Sequence, residues 1–170
     1  KGRWVTESGI ALNTADVNQL PTATQETLQA RYIVSSAAES LAQGSTKQFF
    51  FIAAPYREGA SYWSMYRSPD KPMAALAAQS VMTRELGEGR YVGALSGLPA
   101  GLSAYVFETG DGPAAVLWAA TDTEVTVPVE GDASLVDLMG RDTAFSPSAG
   151  GATFTVGPDP VYLSATGFPG

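Results

Sequence analysis

The 170-residue sequence contains neither cysteine nor histidine. Without cysteine there is no disulfide framework, no thiolate nucleophile and no cysteine-ligated zinc. Without histidine, a Ser-His-Asp triad and an HExxH zinc site are excluded within this chain. Any catalysis must therefore rest on carboxylates, hydroxyls, Arg or Lys side chains, or an oxygen-bound metal.

Positive charge is also scarce, since 10 Lys and Arg against 17 Asp and Glu give a formal net charge of −7. An acidic surface disfavours nucleic acid as a partner. No apolar run reaches the roughly 18 residues of a membrane span, and the N-terminus lacks the apolar core of a signal peptide. We therefore expect neither a nucleic-acid nor a membrane partner.

Hydrophobic residues make up 45 % of the chain, which is enough for a core. The chain also contains 18 Gly and 11 Pro, which indicate many turns. At roughly 100–200 residues per domain, its length fits one domain or two small ones. The hydrophobic pattern changes character near residue 88. We therefore predict two parts, residues 1–88 and residues 89–170.

The first part alternates strand and helix patterns. Residues 3–7 form a short β-type run, and residues 47–54 form an apolar run typical of a strand buried on both faces. Between them, Thr22 and Gln25 have the spacing of a capping box, and Gly44 is a plausible helix stop. The pattern predicts a strand, a helix and a second strand in that order.

A second helix is predicted to begin at Asp70 or Lys71, with Pro72 in its first turn, and to end at Gly87. Its expected inward stripe consists of Met73, Leu76, Ala77, Ser80 and Val81. The complete order of strand, helix, strand and helix predicts the βα repeat of a parallel α/β fold.

The second part shows no helical stretch. Seven short runs read as strands: 91–95, 102–108, 114–119, 124–129, 133–138, 152–156 and 161–165. Turn signals separate them, and their spacing is typical of an antiparallel β-sandwich. The predicted fold class is α/β plus all-β.

The segment W-V-T-E-S-G at residues 4–9 is the strongest candidate for chemistry. Period two places Glu7 on the same face as Val5, at the C-terminal end of a strand. In a parallel α/β barrel that end carries the active site, and Gly9 would let the chain leave the rim without a Cβ clash. The alternative is an edge-of-strand glutamate that faces solvent.

Several segments together resemble clan A retaining glycoside hydrolases. R-W-V-T-E-S-G at residues 3–9 resembles their seventh-strand nucleophile motif, roughly W-[VI]-T-E-x-G. Q-A-R-Y at 29–32 resembles the seventh helix, F-F-F at 49–51 the eighth strand, and R-S-P-D-K-P-M-A-A-L at 67–76 the start of the last helix. V-D-L-M-G-R at 136–141 and P-V-Y-L at 160–163 resemble the sandwich that often follows such barrels. Within the clan, we favour a β-xylosidase-like or neighbouring family.

The resemblance implies a partial (β/α)₈ barrel: residues 1–88 would be its last two βα units and residues 89–170 a C-terminal β-sandwich. It implies that Glu7 is the nucleophile of a double displacement, which needs a second carboxyl group about 5–5.5 Å away. That acid/base would come from the fourth barrel strand, which is not in this sequence. A barrel needs roughly 250 residues and eight strands. Since Lys1 directly precedes a strand and is not a start Met, we expect a missing N-terminal portion to supply the remainder, and the isolated chain to be inactive.

The rim segment, Y-R-E-G-A-S-Y-W at residues 56–63, supplies candidate sugar contacts. Flat aromatic side chains stack on the apolar faces of sugar rings, while polar groups bind the hydroxyls. We expect Tyr56, Glu58 and Trp63 to bind substrate. The alternatives are that Glu58 is an ordinary solvated loop residue and that Trp63 only covers the barrel end. Trp4 and Trp118 are expected in the core.

The resemblance makes a carbohydrate substrate the expected partner and slightly favours a secreted or periplasmic location. No cofactor or metal is expected, because turn chemistry explains the acidic residues in the hairpins of the second part. One alternative function is a non-catalytic carbohydrate-binding or scaffold protein on a degenerate barrel. Another is that the sandwich is only a structural module packed against the barrel. Its strands lack an aromatic stripe along one face, which argues against independent sugar binding there.

Overall fold

The computed structural model describes residues 2–148 and 150–169. By contact, the chain divides into two compact units, residues 1–80 and residues 81–170. The assignment of residues 1–88 and 89–170 to a barrel part and a sandwich domain stays a prediction.

The first unit combines a parallel strand pair with short antiparallel strands. Its elements are β1 (Arg3–Ser8), β2 (Leu12–Asn13), α1 (Ala23–Ala42), β3 (Ser45–Phe50), β4 (Arg57–Glu58), β5 (Ser61–Tyr62), β6 (Tyr66–Ser68), β7 (Lys71–Pro72) and α2 (Ala74–Leu86), whose last turns lie beyond residue 80. β1 and β3 pair in parallel, and α1 connects them. The predicted order of strand, helix, strand and helix is therefore confirmed, as one βαβ unit followed by a helix rather than as a barrel.

The helix α1 begins and ends where the sequence predicts. The Thr22 side chain accepts a hydrogen bond from the Gln25 amide at 3.3 Å, and the Gln25 side chain accepts one from the Thr22 amide at 2.9 Å. Gly44 follows the last turn with φ of 84°, the left-handed conformation that glycine adopts without strain. The helix packs Ile33 into a small core with Met65 and Ala75.

The strand β3 is shorter and more exposed than residues 47–54 were predicted to be. It ends at Phe50, and Phe49 is 48 % exposed. Trp4, expected in the core, is 55 % exposed and contacts the Phe49 ring at 6.2 Å, with the Lys47 ammonium 5.0 Å from the Trp4 ring centre. These three side chains share the face of the β1–β3 pair opposite α1, so the prediction of a strand buried on both faces is wrong for this chain.

The helix α2 begins at Ala74, later than predicted. Lys71 and Pro72 lie instead in β7, which pairs with β6. The predicted inward stripe is confirmed at Met73 and Val81, which are buried, but it is wrong at Ala77 and Ser80, which are exposed. It also omitted Ala75 and Ala78, which are buried. Alanine occupies both faces of the first turns, so hydrophobic periodicity could not choose between them. Gly87 ends the helix, as predicted, with φ of 51°.

The second unit is antiparallel. Its strands are β8 (Arg90–Ala94), β9 (Leu102–Thr109), β10 (Gly112–Ala119), β11 (Thr123–Val127), β12 (Glu130–Val136), β13 (Ser146–Ser148), β14 (Gly151–Val156) and β15 (Val161–Gly167). They form a five-stranded sheet, β12-β15-β10-β9-β8, and a three-stranded sheet, β11-β14-β13. All seven predicted strands are present; β13, with the sequence S-P-S, was missed because it has no apolar alternation.

The two sheets of the second unit share one hydrophobic core. Leu117 and Leu163 enter it from the five-stranded sheet, and Val127 and Phe154 from the three-stranded sheet. The alternation of Val125 and Val127 with exposed polar residues is the pattern that predicted this two-sheet arrangement.

Trp118 lies outside that shared core. It is half-buried and stacks on Tyr105, with ring centres 5.4 Å apart and an interplanar angle of 29°, and Tyr105 contacts Tyr91 at 6.1 Å. The three rings come from the neighbouring strands β10, β9 and β8. The cluster forms only across strands, so the pattern of any single strand did not predict it.

Candidate active site

A cleft of about 270 Å³ lies where β1 and β3 end. Its lining residues are Glu7, Ser8, Gly9, Phe51, Glu58 and Trp63. The structure thus brings three of the four candidate residues to one cleft, and the fourth, Tyr56, contacts both Phe51 and Glu58.

Glu7 lies in the part of β1 where the strand register is interrupted. The register between β1 and β3 shifts between Val5 and Ser8, so strict period two does not hold there. Val5 aligns with Gln48 and is half-buried, whereas Glu7 is exposed and lines the cleft. Among the described residues, the Glu7 carboxylate has no hydrogen-bond or ion-pair partner.

A polar network holds the end of β1 against α1. The hydroxyls of Ser8 and Tyr32 lie 2.7 Å apart, and the Gln48 side-chain amide donates to Ser8 Oγ at 3.0 Å and to Ser36 Oγ at 3.1 Å. These bonds fix the residue that directly follows Glu7. These bonds were not predicted, although the glutamine inside the run K-Q-F-F-F was a signal for them.

Gly9 is required by a close backbone approach. A Cβ atom at this position would lie 2.5 Å from the Phe51 carbonyl oxygen and 3.5 Å from Trp63 Cε3. The Phe51 amide donates to the Ser8 carbonyl at 2.7 Å, which holds the two segments together. The peptide bond between Phe51 and Ile52 is cis. The glycine of the E-x-G motif therefore lets the two strand ends meet at the cleft.

One wall of the cleft is aromatic and is centred on Phe51. Its ring meets Tyr56 edge to face at 5.3 Å and Trp63 at 5.9 Å. The Trp63 amide also donates to the Tyr56 carbonyl at 3.2 Å. Trp63 is half-buried, and its indole Nε1 has no hydrogen-bond partner among the described residues. Phe51 was quoted in the sequence analysis only as part of a strand, so its place in the cleft was missed.

The rim of the cleft carries a hydrogen-bonded pair. The Tyr56 hydroxyl donates to Glu58 Oε1 at 2.8 Å. This bond raises the pKa of Tyr56 above its ordinary value of 10.0, with smaller contributions from desolvation and from the negative charge of Glu58. The hydroxyl therefore stays a donor to the carboxylate at neutral and mildly alkaline pH.

A three-stranded mini-sheet joins the loops that follow β1 and β3. Its order is β2-β5-β4, and Glu58 is the last residue of β4. Arg57 reinforces it, because its guanidinium donates to Thr14 Oγ1 at 3.0 Å and lies 4.9 Å from the Tyr62 ring centre. The orientation of Glu58 thus depends on the loop that leaves the Glu7 strand. The sequence did not predict this mini-sheet, because its strands β2, β4 and β5 have only two residues each and show no periodicity.

Within the described ranges, no group of three or more acidic side chains is arranged to hold a metal ion. Neither described helix is both long and apolar enough to cross a membrane. The chemistry that the cleft offers is that of two carboxylates beside an aromatic wall.

No protein-family model and no curated protein matches this sequence. Solved structures do match its fold. A family 39 glycoside hydrolase from the gut symbiont Bacteroides cellulosilyticus WH2 is 18 % identical with a TM-score of 0.73, over 96 % of this chain and 34 % of that one. A family 30 subfamily 8 xylanase from Clostridium acetobutylicum is 8 % identical with a TM-score of 0.67, over 96 % and 42 %.

A family 30 endoxylanase from Clostridium papyrosolvens C71 is 10 % identical with a TM-score of 0.64, over 96 % of this chain and 41 % of that one. The chain is therefore similar in fold to part of glycoside hydrolase structures. It spans less than half the length of these three. At such low identity the likeness shows the fold alone, and it singles out no family.

Proposed function

We propose that this chain is part of a retaining glycoside hydrolase and that Glu7 is its nucleophile. The observation that carries the proposal is the cleft, where Glu7 lies at the carboxyl end of a parallel strand pair beside Glu58 and an aromatic wall. In this mechanism the Glu7 carboxylate attacks the anomeric carbon while an acid protonates the departing oxygen. Water then cleaves the glycosyl ester, and the second carboxyl group acts as base.

The proposal places the acid/base glutamate in polypeptide outside these 170 residues, on another strand of a barrel. The exposed face of the β1–β3 pair supports this, because Trp4 and Phe49 leave apolar rings uncovered on it. Within a closed barrel that face would be the packed interior. The much greater length of the similar glycoside hydrolases also supports a larger catalytic unit.

The other candidate residues would bind the sugar. Trp63 and Tyr56 offer aromatic surface to the C–H faces of a sugar ring, and Glu58 offers an acceptor for its hydroxyls. Glu7 would have to be ionised to attack. Its lack of a partner among the described residues favours a nucleophile over a structural ion pair.

The test uses the protein with whatever polypeptide precedes residue 1. Glu7→Ala should lower turnover of an activated aryl glycoside by at least 10³-fold, and azide should partly restore it because a small anion fits the space of the lost carboxylate. Glu39→Ala is the matched control, since Glu39 is exposed on α1 and lines no part of the cleft. A fluorinated-sugar inactivator should label the peptide that contains Glu7.

Full turnover in Glu7→Ala, or a label on another carboxylate, would refute this assignment. The isolated 170 residues should show no turnover, because they lack the proposed acid/base. If the longer protein binds sugars saturably but cleaves none, it is instead the non-catalytic carbohydrate-binding protein considered above.

A further inference from the structure

We propose that Glu58 makes this cleft selective for neutral glycosides over uronates, the sugars in which C6 is a carboxylate. The inference rests on the proposed function and adds the charge class of its substrate. It concerns the sugar bound against Glu7, Glu58 and the aromatic wall.

The charge of the cleft is the first observation. Two of its six lining residues, Glu7 and Glu58, are carboxylates, and the other four are uncharged. A retaining mechanism explains one carboxylate, the nucleophile, but it does not explain the second one on the rim. Like charges brought together repel, so an anionic sugar held against these two carboxylates would bind less well than a neutral sugar of the same shape.

The neighbouring arginine does not neutralise Glu58, although it is adjacent in sequence. The Arg57 guanidinium donates instead to Thr14 Oγ1 at 3.0 Å and to the Asp16 carbonyl at 3.3 Å, and it stacks over Tyr62. The mini-sheet therefore directs Arg57 to one loop while Glu58 lines the cleft. The negative charge of Glu58 stays available to a ligand.

Tyr56 completes the arrangement. Its hydroxyl bonds one carboxylate oxygen of Glu58 at 2.8 Å, which fixes the carboxylate while the other oxygen can accept hydrogen bonds from sugar hydroxyls. A neutral, hydroxyl-bearing sugar satisfies this acceptor. A uronate carboxylate brings only further acceptors and a second negative charge.

The experiment compares wild type with Glu58→Gln, which keeps the shape and an acceptor oxygen but removes the charge. Glu39→Gln is the control, because it changes the net charge equally on an exposed face of α1. The substrates are matched 4-nitrophenyl pairs, glucoside with glucuronide and galactoside with galacturonide. Glucuronic acid and its neutral isostere glucuronamide are also compared as inhibitors of the turnover of the best neutral substrate, which tests the same preference without requiring that a uronate be cleaved.

Wild type should favour the neutral member of a pair by about tenfold or more, less at high salt because screening weakens the repulsion. Glu58→Gln should reduce that preference about tenfold, and Glu39→Gln should leave it unchanged. Equal use or binding of a uronate and its neutral counterpart by wild type, or an unchanged preference in Glu58→Gln, would overturn the inference. Absence of turnover of every neutral glycoside would instead refute the proposed function, and the inference with it.

Discussion

Replacing Gly9 with alanine should disrupt the junction between β1 and the rim segment. The new Cβ would lie 2.5 Å from the Phe51 carbonyl oxygen, whereas ordinary contacts begin near 3.4 Å, so the two segments must separate by about 3.4 − 2.5 = 0.9 Å. That atom belongs to the backbone and cannot rotate away. The neighbouring bond from the Phe51 amide to the Ser8 carbonyl, now 2.7 Å, would stretch with it.

The expected loss of unfolding free energy is about 2 kcal/mol, the middle of the range for adding a methyl group to a tightly packed site. For a unit of this size, roughly 4–8 °C of melting temperature accompany each kcal/mol, so Gly9→Ala should melt on the order of 10 °C lower. Activity should fall further than stability. Glu7 lies two residues away, and a displacement of about 1 Å in a reacting group can cost roughly 10²-fold in rate.

Thermal unfolding followed by circular dichroism, with aryl glycoside turnover measured well below the transition, separates these two effects. Gly110→Ala is the matched control, because a Cβ there meets nothing within 4 Å and its φ is not positive. It should change stability little or raise it by up to about 1 kcal/mol through a less flexible unfolded chain. If Gly9→Ala melts and works like Gly110→Ala, the close approach assigned to Gly9 does not exist.

Four further predictions concern individual side chains. Thr22→Ala should lower the free energy of unfolding by about 1 kcal/mol in urea titrations, and Thr22→Ser should restore it, because the hydroxyl caps α1; equal stability of both variants would contradict the cap. Tyr162→Phe should stabilise the protein by about 1 kcal/mol, because the Tyr162 hydroxyl is buried without a partner among the described residues. Burial also raises the pKa of Tyr162 far above 10.0, so the wild-type protein should lose stability as the pH rises beyond that value. In thermal melts between pH 9 and 11, Tyr162→Phe should lose less stability than wild type. Parallel pH profiles of the two proteins would contradict this. Arg57→Met should raise KM for an aryl glycoside several-fold, because the strand that carries Glu58 loses its anchor, while the melting temperature changes by only a few degrees. Arg57→Lys should recover part of the lost affinity. An unchanged KM would show that Arg57 does not orient the rim.

The elements that the sequence predicted well are those whose signals are local. The capping box of Thr22 and Gln25 needs only four consecutive residues, and Gly44 and Gly87 mark helix ends through their own backbone conformation. Strands β11 and β14 alternate buried apolar residues with more exposed ones because each has one face on the shared core. The contiguous motif around Glu7 likewise placed this residue at a strand end, where it lines the cleft, and its catalytic role stays a proposal.

The features that escaped prediction depend on partners distant in sequence. Arg57 reaches across 43 residues to Thr14, and Gln48 across 40 residues to Ser8, so no window of neighbouring positions contains either bond. Trp4 was placed in the core by its residue type alone, but a large apolar side chain is buried only where another element covers it. Phe51 escaped notice because its contacts with the rim depend on how the loop after β3 returns.

Hydrogen bonds of the mini-sheet connect the cleft to the start of α1. Asn13, in β2, accepts a hydrogen bond from the Gln25 side chain at 2.7 Å, and its own side chain accepts one from Ser61 at 2.9 Å. The helix cap, the loop after the Glu7 strand and the rim segment are therefore coupled through one residue. A change in the length of the rim segment would therefore be transmitted to the start of α1, so the rim cannot evolve independently of the helix that packs behind β1.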